Sequence, residues 1–424
     1  MRILFVAMAE SIHTARWINQ VTDQGWDVHL FPAYDAPCHP ALRNLTVHSL
    51  SSRPASLHES VRVAGFWPIR RGAGTLSMLT RRLAPGILDP VRWLNRVIRQ
   101  LQPDVIHSLE IQHAGYLTWA ARQQFGVAFP PWMVSNWGSD IFLFGRLQQH
   151  AEKIRAILKA CDYYSCECQR DVPLAQSLGL MGDVMPVVPA AGGLDVALLE
   201  RCQSSSPPSQ RRLIVLKGHQ NWAGRALVGL RAIELCAEWL HGYRVAIYTA
   251  SVFPEVVMKA DLISQATGIP IDILPEYSHE QMLRLFGKAR AYLGLSISDG
   301  ICTSFLETIA MGAFPIQSNT ACADEWIRDG ETGFLVPPED PHIVAAALKR
   351  AITEDTLVDR AAEANLDTVK CRLDSRVLQP RVVDMYRRVF AERTGKPMIS
   401  MARLSCAETR LPIMADIGKV SQAP

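Results

Sequence analysis

The stretch QSSSPPSQ at residues 203–210 indicates how this chain of 424 residues is divided. It holds four serines, two prolines and no apolar side chain, so it can neither join a core nor hold a helix. We therefore predict a linker at 203–210, a first domain at 1–202 and a second domain at 211–372. Beyond Arg393 the chain loses its periodicity, and we expect a flexible tail at 395–424.

Apolar, strand-like runs alternate with helical patterns on both sides of the linker. The runs lie at residues 3–9, 27–32, 104–109, 132–136, 163–166 and 184–188, and then at 213–216, 243–249, 271–274, 292–298 and 314–318. Such alternation is typical of parallel sheets with crossover helices. The predicted fold class is α/β, with two Rossmann-like, doubly wound parallel-sheet domains facing a central cleft. Ligands of such sheets bind at the carboxyl ends of the strands.

Capping residues mark helices in the second half of the chain. Ser278 and Gln281 are spaced as a capping box for a helix through residue 289. Asp340 and Pro341 are a typical start for a helix through residue 352. Helical patterns also cover residues 224–240 and 304–311, so the second half is predicted to be a doubly wound domain in its own right.

Composition excludes several classes of protein. Lys and Arg total 44 against 41 Asp and Glu, and a net charge of +3 does not point to a nucleic-acid partner. No apolar run approaches the roughly 20 residues that span a bilayer. The ten cysteines include no Cys-x-x-Cys pair, so we predict no metal site and reduced thiols in the cytoplasm.

The segment SDGICTSFLE at residues 298–307 is the strongest candidate for a binding site. Asp299 leaves the end of a predicted strand, and Gly300 allows a turn. A helix follows, which Thr303 or Ser304 would cap, and it carries Glu307. The amides and positive dipole end of such a helix attract an anion, and the carboxylates can accept sugar hydroxyls. The alternative is a plain turn aspartate and a solvated helical glutamate.

This segment resembles the Glu-x7-Glu signature of the family 4 glycosyltransferases, group 1 enzymes of the GT-B fold. Asp299 and Glu307 occupy the two acidic positions, with aspartate where the family usually has glutamate. The likeness continues through ETIAMGAFPIQS at 307–318 and DGETGFLVP at 329–337. Shorter likenesses are PDVIH at 103–107, GSD at 138–140 and GLD at 193–195.

The resemblance implies a retaining glycosyltransferase that takes a nucleotide diphosphate sugar as donor and needs no metal or other cofactor. The donor would lie on the second domain, with Glu307 on its ribose and Asp299 near its sugar. Lys217 and Arg225 would neutralise the departing diphosphate, or else they are ordinary surface cations. The other donor-binding residues would be Gly218, Gly300, Ile301, Cys302, Thr303 and Ser304.

The acceptor would be a saccharide or a lipid-linked saccharide on the first domain, as in polysaccharide biosynthesis. The histidine that the family places before Gly-x-Asp is Trp137 here, so the acceptor-side histidine is left open. The candidates are His13, His107, His113 and Asp140, and a structural role is the alternative for each histidine. The resemblance also implies that a helix at 373–394 crosses back to the first domain.

One segment is rich in arginine. Between residues 60 and 100 there are eight arginines, at 62, 70, 71, 81, 82, 92, 96 and 99, and one acidic residue, Asp89. This composition suits an anionic membrane surface or a lipid diphosphate, and it would make the protein peripheral on the inner face of a membrane. The alternative is a solvated loop and a helix packed on the first domain.

Two other functions fit the same features. A GT-B nucleotide-sugar epimerase shares the two domains but needs no acceptor. A non-catalytic, membrane-docked protein that binds nucleotide sugars would account for Asp299, Trp137 and the arginine-rich segment. The chain has no Asp-x-Asp pair and no Walker lysine motif, which argues against metal-bridged transferases of the other major fold and against kinases.

Overall fold

Two parallel β-sheets organise the computed structural model, which describes residues 1–49, 57–65, 89–126 and 128–395. Each sheet is flanked by helices and belongs to one half of the chain. The predicted α/β class with two doubly wound parallel-sheet domains is therefore confirmed.

Eight strands form the first sheet within the described residues. They are β1 (Arg2–Ala7), β2 (Asp27–Pro32), β3 (Thr46–Ser49), β4 (Arg62–Gly65), β5 (Val105–Leu109), β6 (Trp132–Asn136), β7 (Tyr163–Cys166) and β8 (Asp183–Val184). Their spatial order is β4-β3-β2-β1-β5-β6-β7-β8. Every residue of β5 and β6 is buried, as expected for central strands covered by helices on both faces.

The described helices of the first half lie between these strands or follow the last of them. They are α1 (Ile12–Asn19), α2 (Pro90–Leu101), α3 (Tyr116–Phe125), α4 (Ser139–Phe142), α5 (Gln148–Ala160), α6 (Asp171–Ser177) and α7 (Val196–Cys202). The side chain of Asp89 caps α2 by accepting a hydrogen bond from the N–H of Val91, and Pro90 occupies the first turn.

Six strands form the second sheet in the described part of the chain. They are β9 (Leu213–Lys217), β10 (Arg244–Tyr248), β11 (Ile271–Ile273), β12 (Ala291–Gly294), β13 (Phe314–Ser318) and β14 (Phe334–Val336). The order β11-β10-β9-β12-β13-β14 is that of a Rossmann sheet. The helices are α8 (Ala226–Leu235), α9 (Pro254–Thr267), α10 (His279–Lys288), α11 (Thr303–Ala310), α12 (Pro341–Thr353), α13 (Asp355–Arg372) and α14 (Ser375–Thr394).

The strand order of each sheet reverses beside its first strand, between β1 and β5 and between β9 and β12. Ligands of open α/β sheets bind at the carboxyl ends of such strands. The two edges face each other, because Gly138 after β6 touches Gly300 after β12. A Cβ atom on Gly300 would lie 2.7 Å from the Cα of Gly138, so this contact requires glycine.

Helix α14 returns the end of the described chain to the first domain. The Trp17 indole N–H donates to the Tyr386 hydroxyl at 2.8 Å, and that hydroxyl lies 2.7 Å from Nδ1 of His107. Near the carboxyl end of α14, Arg393 is ion-paired with Asp104. These contacts place α14 against β5 and α1.

Some element boundaries differ from the predictions. The strand expected at 184–188 ends at Val184, because Pro186 has no N–H for the ladder. The strand expected at 292–298 ends at Gly294, where Ser296 begins a local turn by donating from its hydroxyl to the Ser298 carbonyl. The helix expected at 224–240 spans only α8, followed by a 3-10 turn at Ala237–Trp239.

The capping predictions for two helices are confirmed. Ser278 and Gln281 form the complete capping box of α10. The Asp340 side chain accepts hydrogen bonds from the N–H groups of His342 and Ile343 at the start of α12. Both succeed because these caps involve only residues two or three positions apart.

Two predictions concern residues beyond the described ranges. Arg70, Arg71, Arg81 and Arg82 of the arginine-rich segment lie outside them, as does the predicted tail after residue 395. In the described part, Arg99 donates to the Phe125 carbonyl at 3.0 Å and lies over the Phe125 ring. A search of the described helices finds none long and apolar enough to cross a bilayer.

Candidate functional site

Helix α11 begins at the cleft without a side-chain cap. Its cap position is Cys302, whose side chain accepts no capping hydrogen bond, so the prediction that Thr303 or Ser304 caps this helix is wrong. Thr303 and Ser304 are instead its first two residues. The start of α11 therefore keeps the partial positive charge that favours an anion.

Asp299 and Gly300 form the turn that leads into α11. The N–H of Gly300 donates to Oδ1 of Asp299 at 2.9 Å. Ile301 is 5% exposed, and its N–H lies beside the Glu167 side chain of the first domain. Because these two N–H groups already have partners in the protein, the start of α11 itself is the better place for an anion.

Glu307 is buried one turn into α11, and its carboxylate contacts one histidine and one arginine. Its Oε1 lies 2.8 Å from Nε2 of His279, at the start of α10. The same oxygen accepts a hydrogen bond from Nη2 of Arg16 on α1, at 3.3 Å. Glu307 is therefore not the solvated helical residue of the alternative interpretation, since its carboxylate is held by both domains.

Lys217, at the end of β9, lies beside the start of α11. Its Nζ is 3.2 Å from Sγ of Cys302. Burial by itself lowers the pKa of Lys217, but the neighbouring Cys302, Tyr248 and Asp299 side chains outweigh burial and raise that pKa overall. The ammonium group is therefore charged and close to the turn at Asp299.

Gly218 and Arg225 are placed differently from Lys217. The N–H of Gly218 donates to the Tyr248 carbonyl at 2.9 Å, and a Cβ there would meet Ala250 at 2.6 Å, so packing requires this glycine. Arg225 is ion-paired with Glu339 at 3.1 Å, and its Nη1 donates to the carbonyl of Gly224. These bonds direct its guanidinium to the rim of the cleft rather than to the turn at 299–301.

His13 faces the second domain from the loop after β1 and the start of α1. Its ring lies 5.9 Å from the Trp137 ring, centre to centre. Burial lowers the pKa of His13, and the Arg16 charge lowers it further, against the opposing effect of Asp299 and Glu307. The imidazole is therefore neutral at pH 7 and lies among the predicted donor-binding residues.

Asp140 joins two loops of the first domain. Its Oδ2 accepts hydrogen bonds from the N–H groups of Ile111 and Trp137, at 3.0 and 2.9 Å. Burial, reinforced by the charge of Glu110, raises the pKa of Asp140. Asp140 is 6% exposed, so it shapes the wall of the cleft rather than offering an open carboxylate.

Glu110 and His113 form the next part of that wall. Glu110 has a φ of 80°, a left-handed conformation that a residue other than glycine adopts at a cost, and its Oε1 accepts from the N–H groups of His113 and Ala114. A hydrogen bond with Glu110 raises the pKa of His113. The His113 ring also contacts Tyr34, 5.2 Å away.

His107 is not an acceptor-side residue, which corrects the prediction. It is 0% exposed, with Nδ1 bonded to the Tyr386 hydroxyl and Nε2 2.7 Å from the Ser135 hydroxyl. Burial lowers its pKa to about 3, so the ring is neutral. The side chain points into the core beneath α14, where no acceptor can reach it.

Two further first-domain residues meet the Asp299 loop. Glu167 lies against Gly300, and burial together with the Asp299 charge raises the pKa of Glu167 to about 8. Arg170 donates from Nη2 to the Asp299 carbonyl and from Nη1 to the Thr320 carbonyl, both at 3.1 Å. These contacts bind the two domains together beside the cleft.

Sequence reasoning missed several residues of this site. They are Arg16, Glu167, Arg170, His219 and His279. His219 follows Gly218 directly, and burial together with the Lys217 charge lowers its pKa to about 4. Its position directly after the end of a strand could have marked His219 as a site residue. The other residues carry no such mark, because their contacts join segments far apart in the chain.

One group in the described ranges could hold a metal ion by its geometry, namely Cys168, Cys322 and Glu325. Their ligand atoms lie within 4.8 Å of one another. Cys168 belongs to the first domain and the other two to the second, so the group spans the interface beside Arg170. It does not include any of the predicted donor-binding residues.

Comparison with known families matches both halves of the chain. The model described as "Glycosyl transferases group 1" matches residues 259–367. The model described as "Glycosyl transferase 4-like" matches residues 2–66 and 79–167. The first match contains α11 with Glu307, and the second contains His13, Arg16 and the loop of Asp140.

The chain is also similar to individual proteins, one by sequence and two by fold. A D-inositol 3-phosphate glycosyltransferase of Nocardioides sp. is 30% identical over 127 residues, which are 30% of this chain and 27% of that protein, so the match spans about a quarter of the relative. Sucrose-phosphate synthase of Thermosynechococcus elongatus has a similar fold, with a TM-score of 0.64 at 14% identity over 92% of this chain and all of that one. Anabaena HepE in complex with UDP-glucose gives 0.63 at 13% identity, with the same coverage.

Proposed function

Because this chain belongs to the group 1 glycosyltransferases of the GT-B fold, we propose that it transfers a sugar from a nucleotide diphosphate donor to a saccharide or lipid-linked saccharide acceptor. The observation that carries the proposal is the cluster of Lys217, Glu307 and the uncapped start of α11 in one cleft. A cation and a helix start can bind a diphosphate, and a buried carboxylate beside them can bind ribose hydroxyls.

The donor would lie along the carboxyl edge of the second sheet. Its diphosphate would bind the start of α11 and the Lys217 ammonium, and its ribose hydroxyls would donate to Glu307. His279 and Arg16 both contact Oε1 of Glu307, so ribose would replace the Arg16 contact while His279 stays in place. The donor sugar would then face Asp299 and the first-domain residue His13.

Catalysis would consist of stabilising the departing nucleotide diphosphate. As the bond from the anomeric carbon to the diphosphate oxygen breaks, negative charge grows on that oxygen and the sugar becomes oxocarbenium-like. Lys217 supplies the positive charge that a metal supplies in other transferases, so we propose a metal-independent reaction. Retention of the anomeric configuration belongs to the same proposal and rests on the family resemblance.

The acceptor would enter from the first domain. His13 is neutral, lies against Trp137 and faces the predicted sugar position, so it is the histidine that we propose to contact the acceptor. Asp140 and Glu110 would act by holding their loops in place, because their carboxylates are occupied by backbone N–H groups. His113 lies further along the same wall, beside Tyr34.

A thermal-shift panel tests the donor assignment. UDP-, GDP- and ADP-sugars are compared with CMP-sugars, which carry one phosphate, each with and without EDTA. A donor present at about 100 times its Kd adds ~2.7 kcal/mol of stability. We expect a Tm rise with one diphosphate class, unchanged by EDTA and lost in Glu307→Ala. A shift that EDTA abolishes would overturn metal independence, and no shift with any diphosphate sugar would overturn the donor proposal.

A product analysis tests the reaction itself. With the donor identified, incubation with a panel of saccharide and lipid-linked acceptors should release the nucleoside diphosphate only when an acceptor is present. NMR of the product should show the anomeric configuration of the donor. Conversion of donor alone into an isomeric nucleotide sugar would instead identify an epimerase.

A further inference from the structure

Two cysteines meet across the interface between the domains. Cys168 follows β7 of the first domain and is 0% exposed, and Cys322 follows β13 of the second domain and is 2% exposed. Their Sγ atoms lie within 4.8 Å of each other. This pair lies outside the donor and acceptor residues described above.

The surroundings hold the two cysteines at the closed interface. The backbone N–H of Arg170 donates to Oε1 of Glu325 at 3.2 Å, and its guanidinium reaches the carbonyls of Asp299 and Thr320. Cys322 itself has a φ of 47°, a left-handed conformation that most residues adopt at a cost of about 1–2 kcal/mol. The facing thiols are thus held by a network that exists only when the domains are together.

We propose that Cys168 and Cys322 form a reversible inter-domain disulfide that locks the two domains in the closed arrangement. A disulfide needs an S–S distance of about 2.05 Å, so the two Sγ atoms, now within 4.8 Å of each other, would be brought together by rotation of the two side chains. A group 1 glycosyltransferase must open to exchange ligands, so the bridge would stop turnover. That consequence rests on the proposed function, whereas formation of the bridge does not.

The oxidant would be a small-molecule disulfide such as oxidised glutathione. When the domains open, the thiolate of one cysteine attacks the small disulfide, forms a mixed disulfide and releases one small thiolate. When the domains close, the thiolate of the second cysteine attacks the protein sulfur of that mixed disulfide and releases the second small thiolate. The two protein thiol protons go to solvent, so atoms and electrons balance.

The same pair with Glu325 is a poorer metal site. Structural zinc sites usually have four protein ligands, and only three are present here. The positive charge of the Arg170 guanidinium lies near both sulfurs. It would repel a metal cation bound there and so weaken metal binding. The Cys322 side chain and burial raise the pKa of the Cys168 thiol. The Cys168 side chain lowers the pKa of the Cys322 thiol, but burial outweighs it and raises that pKa overall. These shifts disfavour the thiolates that a metal would need.

Oxidation of the full-length protein tests the proposal. The protein is incubated with oxidised glutathione, unreacted thiols are blocked with N-ethylmaleimide, and peptides are mapped without reduction. We expect a peptide pair joined through Cys168 and Cys322 that dithiothreitol releases. Cys168→Ser and Cys322→Ser should lack it, and Cys371→Ser, which alters the exposed cysteine of α13, should form it normally.

Further measurements separate the outcomes. Transferase activity of the oxidised wild type should fall at least about tenfold and return with dithiothreitol, while Cys168→Ser keeps its activity under oxidant. Unlinked Cys168 and Cys322 in every oxidised sample would overturn the proposal whether or not the protein is an active transferase. Stoichiometric Zn²⁺ binding that is lost in both serine variants and that blocks oxidation would overturn it in favour of a metal site.

Discussion

Arg16 of the first domain and Glu307 of the second form an ion pair across the cleft, with 3.3 Å between Nη2 and Oε1. The Glu307 side chain is 7% exposed and the Arg16 side chain 21%. Removing one member of a buried pair is costly unless another polar group takes its place. Ribose hydroxyls can take that place, so donor binding and release of Arg16 should be coupled. The freed guanidinium would then be available to the diphosphate.

Glu307→Gln should weaken donor binding. The amide keeps the size of the side chain but loses the charge that His279 contacts and that the ribose hydroxyls are proposed to contact. Hydrogen bonds to charged groups contribute about 1.5–3 kcal/mol, so the donor Kd should rise roughly 10- to 150-fold, as measured by calorimetry. Glu331→Gln, in the exposed pair with Arg328, is the matched control. Equal affinity in both variants would remove Glu307 from the donor site.

Lys217→Met should lower kcat with little effect on folding. The ammonium lies beside the start of α11, where charge would develop on the departing diphosphate. Loss of one such group typically lowers kcat by about 10²–10³. Lys259→Met, which breaks a pair with Glu234 on the surface of the same domain, is the control. Arg225→Ala should cost less than Lys217→Met, because Arg225 is bonded to Glu339 at the rim. The reverse ranking would exchange their roles.

Glu167→Gln should change how stability depends on pH. Its carboxyl has a pKa of about 8 in the folded protein and an ordinary value of 4.5. At pH values between these two pKa values, the folded protein holds a proton that the unfolded chain has released. This carboxyl therefore makes the free energy of unfolding fall as the pH rises. The glutamine variant cannot titrate. The Tm of the variant minus the Tm of the wild type should therefore increase as the pH rises through this range.

The same experiment has a simple control. Glu331→Gln removes a carboxyl that is exposed in its ion pair with Arg328, and its Tm curve should run parallel to that of the wild type. If the Glu167→Gln curve is also parallel, the Glu167 carboxyl has an ordinary pKa. Its contact with Gly300 would then not be a contact of the protonated acid.

Tyr386→Phe should destabilise the attachment of α14 without affecting the donor. The Tyr386 hydroxyl accepts from the Trp17 indole and is hydrogen-bonded to Nδ1 of His107, which completes a buried chain of hydrogen bonds. Its removal leaves buried polar atoms without that partner, at a cost of about 1–3 kcal/mol. Urea unfolding should show the loss, and calorimetry should show an unchanged donor Kd. A higher donor Kd together with an unchanged free energy of unfolding would contradict this structural role of Tyr386.

Local features were predictable where neighbours along the chain decide them. The capping box of Ser278 and Gln281 and the cap by Asp340 depend on residues a few positions apart, and both are present. The start of α11 was harder, because Thr303 and Ser304 are as good capping residues as any. The turn through Asp299 and Gly300 makes Cys302 the cap position instead, and that turn contacts Gly138 and Arg170 of the first domain.

Long-range contacts were not predictable. His107 stands in a motif that resembles a family strand, yet α14 covers it through Tyr386, 279 positions away. Arg16 reaches Glu307 over 291 positions, and nothing in the spacing of either residue signals the other. Such contacts depend on how whole layers pack, and periodicity reports only which face of an element is buried.

By itself, the sequence of this protein determined the class of fold, because alternating strand and helix patterns on both sides of a serine- and proline-rich stretch admit few other architectures. It also marked the Asp299–Glu307 segment as a candidate binding site, because its chemistry lies within one turn and one helix. The tertiary structure alone decided which first-domain side chains meet that segment. Arg16 comes to it from α1, and Glu167 and Arg170 come from the loop after β7. Their positions follow from the approach of the two sheet edges. Many packing contacts together determine that approach, and no short stretch of the chain determines it alone.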